Sequence, residues 1–325
     1  MTATLFDYVL APSLVLLALQ ILWAKDLFAS IVLYILFGLL AALAWVELRA
    51  PDIALVEAAI GAGVIGALFL GALGHMESLR LRHWAGSTDD HPASAGMNRV
   101  WMLLWGLSIA VAGVICWSVL SLPEHAEGLG QLVNGALFQS GVQNPVTAVI
   151  INFRGYDTLL EIGVLFLVAV AIDALNTFEP VHVRTKLPPQ SRILLFFLHL
   201  LTPMMILAAA YLLWMGAKAP GGAFQAGAMM AGVGILLFLG KARFSFDFND
   251  RWLRAASAAG FAGFLLAAIG VSYNGRNFLQ FPEPYAAEII LAIEILAAGS
   301  IGWILLALFA GCAGLLEENM EKRRF

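Results

Sequence analysis

Residues 54–73 read ALVEAAIGAGVIGALFLGAL, a run of 20 residues in which Glu57 is the only charged side chain. An α-helix needs about 20 consecutive apolar residues to cross the hydrocarbon core of a bilayer, so the run predicts a transmembrane helix. The rest of the chain has a similar character, since 61% of its 325 residues are hydrophobic and 12% charged, with a mean hydropathy of +0.86. Because a soluble protein of this size cannot hide such a share of apolar residues, the composition predicts a polytopic membrane protein.

Nine segments are long and apolar enough to be membrane-spanning helices, which predicts an all-α fold with about nine transmembrane helices. The predicted spans are 5–24, 27–47, 52–74, 100–121, 157–175, 192–216, 222–240, 253–272 and 285–314. Residues 76–99 are polar and charged and predict a loop or linker, whereas 122–151 predict an amphipathic segment at the membrane interface. The first apolar run carries Asp7 and follows no Lys or Arg, so we expect a retained helix rather than a signal peptide.

The distribution of basic residues predicts the orientation of the chain. With nine spans, 14 of the 18 Lys and Arg residues fall on one side, and only Arg49, Arg154, Lys218 and Arg276 fall on the other. The positive-inside rule assigns the richer side to the cytoplasm. We therefore expect the N-terminus outside and the C-terminus in the cytoplasm of a multi-pass protein of the cell (inner) membrane.

Acidic side chains in the predicted spans are the candidate functional groups, since such residues usually face a protein interior or an ion path. They are Glu57, Glu161, Glu288 and Glu294 in the outer part of the membrane, Asp52 and Asp157 at the outer starts of two helices, and Asp173 near the inner end of the fifth helix. In the functional interpretation they take up protons or coordinate a hard cation such as sodium. In the structural interpretation they cap helices, pair with arginines or bind a neighbouring subunit.

His199 is the only histidine deep in a predicted span, four residues before Pro203. Its imidazole is suited to relaying protons near neutral pH. The alternative is structural, because a histidine beside a proline kink often hydrogen-bonds a backbone carbonyl that the kink has freed.

Small residues recur at every fourth position on the third and seventh predicted helices, at Gly63, Ala67 and Gly71 and at Gly227 and Ala231. Such spacing lets helices approach closely, either within the chain or at a subunit interface. Ahead of the seventh helix, Pro220, Gly221 and Gly222 predict a tight helix start rather than a nucleotide-binding loop, because the GK[ST] sequence of a P-loop is missing.

The sequence offers no motif of a self-contained enzyme. It lacks HExxH, CxxCH and catalytic-triad spacings. Cys116 and Cys312 lie in separate apolar runs and form no zinc pattern. The net charge of −4 provides no basic patch for nucleic acid. We therefore expect a non-enzymatic chain with no cofactor, no resident metal and no nucleic-acid partner.

Two motifs resemble parts of a known membrane assembly. The string APDIALVEAAIGAGVIGALFLGAL at 50–73 resembles the three-helix subunit of membrane-bound hydrogenases and part of the C-terminal extension of the large Mrp antiporter subunit. The string NFRGYDTLLEI at 152–162 resembles the DFRGxDTxxEI motif of the next part of that extension. It keeps Arg154, Gly155 and Asp157, but Asn152 stands where an Asp is common.

A third motif, APGGAFQAG at 219–227, resembles the PGGGFxGG motif of the Mrp antiporter B subunit, with Ala223 and Ala226 in place of glycines. The resemblance implies a fusion of 3+2+4 helices. Its predicted parts are a hydrogenase D-type module at 1–75, a polar linker at 76–99, an E-type module at 100–180 and a B-subunit-like domain at 190–325.

The resemblance implies a subunit of an Mrp-type sodium/proton antiporter complex. It implies as partners the large complex I-like antiporter subunits and the small C, E, F and G-type subunits, all in the lipid bilayer. It also makes Glu57 and Glu161 the best candidates for an ion path, with at most transient binding of sodium. Two alternatives remain: a subunit of the antiporter module in a redox-driven ion-pumping complex, and a purely structural membrane subunit.

Overall fold

The computed structural model describes residues 5–84, 95–123, 128–178, 192–240, 251–273 and 275–321, and in these ranges it contains helices and no strands. The α-helices are α1 (Leu5–Trp23), α2 (Leu27–Glu47), α3 (Pro51–Val56), α4 (Ile65–Trp84), α5 (Ala95–Leu120), α6 (Gly130–Ala136), α7 (Pro145–Thr147), α8 (Gly155–Phe178), α9 (Arg192–Met215), α10 (Ala223–Leu239), α11 (Arg251–Tyr273) and α12 (Ala286–Glu321). π-Helical segments, Glu57–Val64 and Ala148–Phe153, join α3 to α4 and follow α7, and short 3-10 turns occupy Leu137–Gln139 and Glu283–Tyr285.

The all-α polytopic fold predicted from the sequence is confirmed. In the described ranges, eight helices are long and apolar enough to cross a membrane, and the seventh predicted span, 222–240, corresponds to the shorter apolar α10. With 17 residues, α10 is about 26 Å long, near the lower limit for a spanning helix. The orientation stays a prediction.

The helices on either side of the predicted polar linker extend into it. α4 continues to Trp84 and α5 begins at Ala95, so residues 76–84 and 95–99 are helical rather than loop. The sequence MESLRLRHW at 76–84 is rich in Met, Glu, Leu and Arg, which all favour helix, although the stretch as a whole is too polar for a span. The middle of the linker lies outside the described residues.

Local sequence signals account for the starts of α2 and α3. The Asp26 carboxylate accepts the backbone N–H groups of Phe28 and Ala29 at 3.2 and 3.3 Å and so caps α2. Pro51 begins α3, where its missing N–H leaves no helical hydrogen bond unmade. Immediately after α3 the backbone widens into the π-helical segment that begins with Glu57.

The chain divides into two compact units, Met1–Leu79 with Ala136–Phe325, and Arg80–Gly135. In the larger unit α12 is the central helix, because 61% of its most apolar stretch is buried inside the protein, compared with 11% for α1 or α2. It packs against α10 and α11 around fully buried Phe264, Ile290 and Ile301. The smaller unit contains the single long span of α5.

The small residues of α10 allow it to lie directly against α12. A Cβ atom placed on Gly227 would lie 2.9 Å from Cβ of Ile301 and 3.0 Å from the carbonyl oxygen of Ala298. The Gly227 and Ala231 spacing therefore serves packing within the chain. Gly63 differs, because the nearest atom to its added Cβ is a carbonyl oxygen of its own helix.

We predict that Gly227→Ala destabilises the protein by about 1–3 kcal/mol, because the new methyl group would push α10 from α12. The measurement is thermal unfolding of the detergent-solubilised protein. Gly299→Ala is the matched control, since an added Cβ at Gly299 has no neighbour within 4 Å. Equal unfolding temperatures for the two variants would contradict the close approach.

Candidate ion-path site

Asp52, in the first turn of α3, is buried with 8% of its surface exposed. Its Oδ1 atom accepts the backbone N–H of Gly221 at 3.1 Å and the side-chain amide of Asn144 at 3.5 Å. The backbone carbonyl of Asp52 accepts the side-chain amide of Gln225 at 3.2 Å. Asp52 therefore fixes the turn of residues 216–222 ahead of α10, which we call the Pro-Gly-Gly turn.

Asn144 and Thr147 hold the other side of the Pro-Gly-Gly turn. The Asn144 side-chain amide donates to the carbonyl oxygens of Ala219 at 3.0 Å and Gly216 at 3.3 Å. The Thr147 hydroxyl donates to the same Gly216 oxygen at 2.6 Å, and the backbone N–H of Asn144 donates to Ala217 at 3.0 Å. Since Asn144 and Thr147 are buried, these bonds replace the water that the turn would otherwise need.

Neither Asn144 nor Thr147 was expected from the sequence to belong to the site. The string NPVT at 144–147 contains a recognisable start of a helix, an asparagine followed by a proline. In the structure Asn144 Oδ1 accepts the backbone N–H of Val146 at 3.0 Å and caps α7. The sequence signal therefore identifies the cap, but the contact of this cap with the Pro-Gly-Gly turn depends on the tertiary fold.

Glu294 lies on α12, next to the same turn, and is 2% exposed. The backbone of Ala223, the first residue of α10, hydrogen-bonds its carboxylate, whereas its Oε2 atom has no hydrogen-bond partner. Glycines make room for this side chain: a Cβ atom on Gly222 would lie 2.9 Å from Glu294 Oε1, and one on Gly216 would lie 3.3 Å from it. Gly222 also has a φ of 121°, a conformation that side chains with a Cβ rarely adopt.

A small cavity lies between α8, the Pro-Gly-Gly turn and α12, and Glu294 lines it. It has about 20 Å³ of space for the centre of a water molecule, which is room for about one water. Its walls include the apolar side chains of Ile150, Ile162 and Ile293. Thr158 also lines it, but its hydroxyl donates to the carbonyl of Ile150 at 2.5 Å.

The other glutamates of the predicted path lie elsewhere. Glu57 begins the π-helical segment, is half-buried, and has its carboxylate beside Gly61 of its own helix. Glu161 on α8 and Glu288 at the start of α12 are exposed on the surface of the chain. The structure thus brings Asp52 and Glu294 to one turn, and none of these three glutamates lines the cavity.

Two aspartates of the predicted path form ion pairs. Asp157 pairs with Arg154 near the start of α8, at an exposed position, and Gly155 beside them is buried. Asp173 pairs with Arg254, with guanidinium nitrogens at 3.1 and 3.2 Å from its Oδ1 atom, and so links α8 to α11. These contacts favour the structural interpretation for both aspartates.

His199 is exposed, and its Nδ1 atom lies 2.7 Å from the carbonyl oxygen of Leu195, one turn earlier on α9. This hydrogen bond is local to one helix and leads to no other titratable group. The contact favours a structural role for His199 over a proton relay.

Three family models match the chain in succession. Residues 13–78 match MbhD (the D subunit of MBH), residues 98–192 match MbhE (the E subunit of MBH), and residues 193–316 match MnhB (domain related to the MnhB subunit of Na+/H+ antiporter). The chain thus matches MbhD, MbhE and MnhB one after another, and for this succession we call it the fusion. The resemblance noted in its three sequence motifs is confirmed, and the fusion is a multi-pass protein of the cell membrane.

The curated relatives of the fusion are much longer proteins. It is 26% identical over 243 residues to the A/B subunit of a probable K(+)/H(+) antiporter of Rhizobium meliloti strain 1021, which covers 64% of this chain and 23% of the relative. It is 26% identical over 172 residues to the A1 subunit of a Na(+)/H(+) antiporter of Staphylococcus epidermidis, which covers 53% of this chain and 20% of the relative. The fusion therefore spans about a fifth to a quarter of the length of these relatives.

Two solved structures share the fold. A chain of the Mrp complex from Dietzia sp. DQ12-45-1b matches with a TM-score of 0.74 and 18% identity, over 96% of the fusion and 35% of that chain. A chain of the membrane-bound sulfane sulfur reductase, an archaeal respiratory membrane complex, matches with a TM-score of 0.52 and 22% identity, over 65% of the fusion and 97% of that chain.

The matched ranges show that the polar contacts described above join all three domains. Asp52 belongs to the MbhD domain and Asn144 to the MbhE domain, whereas Gly221 and Glu294 belong to the MnhB domain. We call the hydrogen-bonded group of Asp52, Asn144 and the Pro-Gly-Gly turn the three-domain junction.

We predict that Asn144→Ala destabilises the fusion by about 1–3 kcal/mol, because the part-buried carbonyl of Ala219 would lose its side-chain donor. Thermal unfolding in detergent provides the measurement, with Asn134→Ala at an exposed position of α6 as the control. Asn144→Asp keeps the cap acceptor but places a second carboxylate beside Asp52, so we expect it to be no more stable than Asn144→Ala. Wild-type stability in Asn144→Asp would refute the role of the donor.

Proposed function

We propose that the fusion is a non-catalytic membrane subunit of a multisubunit cation/proton antiporter. The observation that carries this proposal is the succession of MbhD, MbhE and MnhB domains in one chain, together with its similarity to relatives named as subunits of K+/H+ and Na+/H+ antiporters. Its partners in this proposal are large complex I-like antiporter subunits and small C, E, F and G-type subunits. The chain itself binds no cofactor.

The exposed apolar faces of the first two helices support a role in assembly. Only 11% of the most apolar stretch of α1, and likewise of α2, is buried inside the protein, so most of the surface of these helices is available to lipid or to neighbouring subunits. Gly63 lies exposed on the π-helical segment that follows α3, with no other helix within 4 Å of its added Cβ. Small residues at such a position let another helix approach closely.

Two glutamates of this chain, Glu57 and Glu161, provide the proposed ion route. Glu57 supports it because it is the only charged residue of the run 54–73, where a carboxylate is costly unless it meets a partner or an ion. Its place at the start of a π-helical segment adds support, since such segments occur frequently at functional sites. Glu161 is exposed on α8, where a neighbouring subunit can complete a site around it. In this proposal both glutamates bind protons or sodium transiently.

A second candidate function is a subunit of a redox-driven ion-pumping complex. It is supported by the names of two matched families, which are the D and E subunits of MBH, and by the fold shared with a chain of an archaeal respiratory complex. Mass spectrometry of the complex purified gently through a tag on this chain distinguishes the two. Antiporter subunits alone favour the first function, and co-purifying iron–sulfur or nickel subunits favour the second.

We predict that Glu57→Gln lowers sodium- or potassium-dependent proton flux in vesicles by roughly tenfold or more, equivalent to about 1.4 kcal/mol, while the complex still assembles. The amide keeps the shape of the side chain but carries no charge. Glu47→Gln, at the last position of α2, is the matched control. Full flux in Glu57→Gln would remove Glu57 from the route, and loss of partner subunits in this variant would favour a purely structural role.

A further inference from the structure

We propose that Glu294 is a proton-binding carboxyl group, which exchanges its proton with a single water in the cavity between α8, the Pro-Gly-Gly turn and α12. Its part in antiport rests on the proposed function, whereas proton binding itself rests only on the surroundings of the side chain. The step is a simple transfer. A protonated water gives its proton to the carboxylate, which leaves a neutral water and a neutral carboxylic acid, and the reverse step returns the proton.

The two oxygen atoms of Glu294 have different surroundings, as a carboxyl group that carries one proton requires. Since Oε2 has no partner, the hydrogen bond from Ala223 goes to Oε1. An oxygen that accepts a backbone N–H stays an acceptor when the acid is protonated, and the other oxygen carries the proton. Glu294 lines the cavity, and because its Oε1 atom is occupied by the Ala223 N–H, the proposal assigns the exchange with water to Oε2.

Because Glu294 is buried, a proton on its carboxylate stabilises the protein by removing the buried charge. An ionised carboxylate that is 98% buried needs a compensating charge or several hydrogen bonds, and the structure supplies one hydrogen bond and the positive end of α10. Adding a proton removes the charge and supplies a donor that one cavity water can accept. The site therefore suits a group that alternates between two protonation states.

The charged groups of the surrounding elements do not line the cavity, and these include exposed Lys218 in the Pro-Gly-Gly turn and exposed Glu161 on α8. Its lining contains no Lys, Arg or His and no carboxylate besides Glu294. Asp52 contacts the same turn, where its Oδ1 atom accepts the Gly221 N–H, but it is not a lining residue of the cavity. On α11, Arg254 lies beside Trp303, about 13 Å further along α12 than Glu294. Glu288 lies about 9 Å in the other direction and is exposed.

The same lining fits a proton better than a metal cation. Hard cations take several oxygen ligands, but seven of the twelve lining residues are Ile, Ala or Phe. The Thr158 hydroxyl is already used as a donor, and Gln225 is the one other lining residue besides Glu294 with a side-chain oxygen. The start of α10 presents N–H groups, which repel a cation. In the described ranges no group of three or more His, Cys, Asp and Glu side chains could hold a metal ion.

Infrared difference spectroscopy of the purified complex between high and low pH tests the proposal, because a protonated carboxyl group has its own C=O stretching band. We expect this band in the wild type and in the matched control Glu288→Gln, and its loss in Glu294→Gln. Glu294→Asp keeps a carboxyl group and should shift the band instead of removing it, which preserves the test if Glu294→Gln does not fold. Identical spectra in the wild type and all Glu294 variants would overturn the proposal.

Proton flux in vesicles separates this inference from the proposed function. We expect Glu294→Gln to lose roughly tenfold or more of the cation-dependent flux and Glu288→Gln to keep it. If the wild type has no such flux but still shows the band, the proposed function fails while Glu294 remains a proton-binding site. If the wild type transports but Glu294→Gln leaves the band in place, the function stands and the proton site is overturned.

Discussion

Buried backbone polar groups need hydrogen-bond partners, and the Pro-Gly-Gly turn is where this protein meets that requirement with side chains from elsewhere in the sequence. A helix satisfies its own interior, but the turn between α9 and α10 presents free carbonyl and N–H groups. The side chains of Asn144 and Thr147 donate to the carbonyls of the turn, and the Asp52 carboxylate accepts the Gly221 N–H. The Leu212 carbonyl accepts the N–H of Gly222 at 3.0 Å. The positions of α3, α7 and α10 all depend on these bonds.

The tight packing of the MnhB domain has the same origin. Glycine at 216 and 222 lets the turn lie against α12, and glycine at 227 lets α10 continue along the same helix. This close approach is what buries Glu294 beside the start of α10. A larger residue at position 216, 222 or 227 would separate the turn or α10 from α12 and admit water between them. The polar site and the apolar core are therefore two consequences of one close contact between backbones.

The sequence predicts the helices well and the site only in part. Hydropathy identifies the eight helices of the described ranges that are long enough to span a membrane, and also the shorter α10, because long uncharged runs have few alternatives to a membrane helix. It also identifies Glu294 and Asp52 as unusual. It does not predict that both lie at one turn, since they are 242 positions apart and each helix is apolar on most faces. For the same reason the sequence does not predict that Glu161 is exposed. It does not predict the role of Asn144 either, because this residue lies in a segment predicted to be interfacial.

The three-domain junction has a consequence for assembly. The MbhD and MbhE families take their names from two separate subunits of MBH, whereas here both domains and an MnhB domain belong to one chain. The bonds from Asp52 and Asn144 to the Pro-Gly-Gly turn thus form within one molecule, without an encounter between separate chains. Translation fixes the three domains at equal stoichiometry. The junction then forms at a yield that is independent of the total amount of protein made.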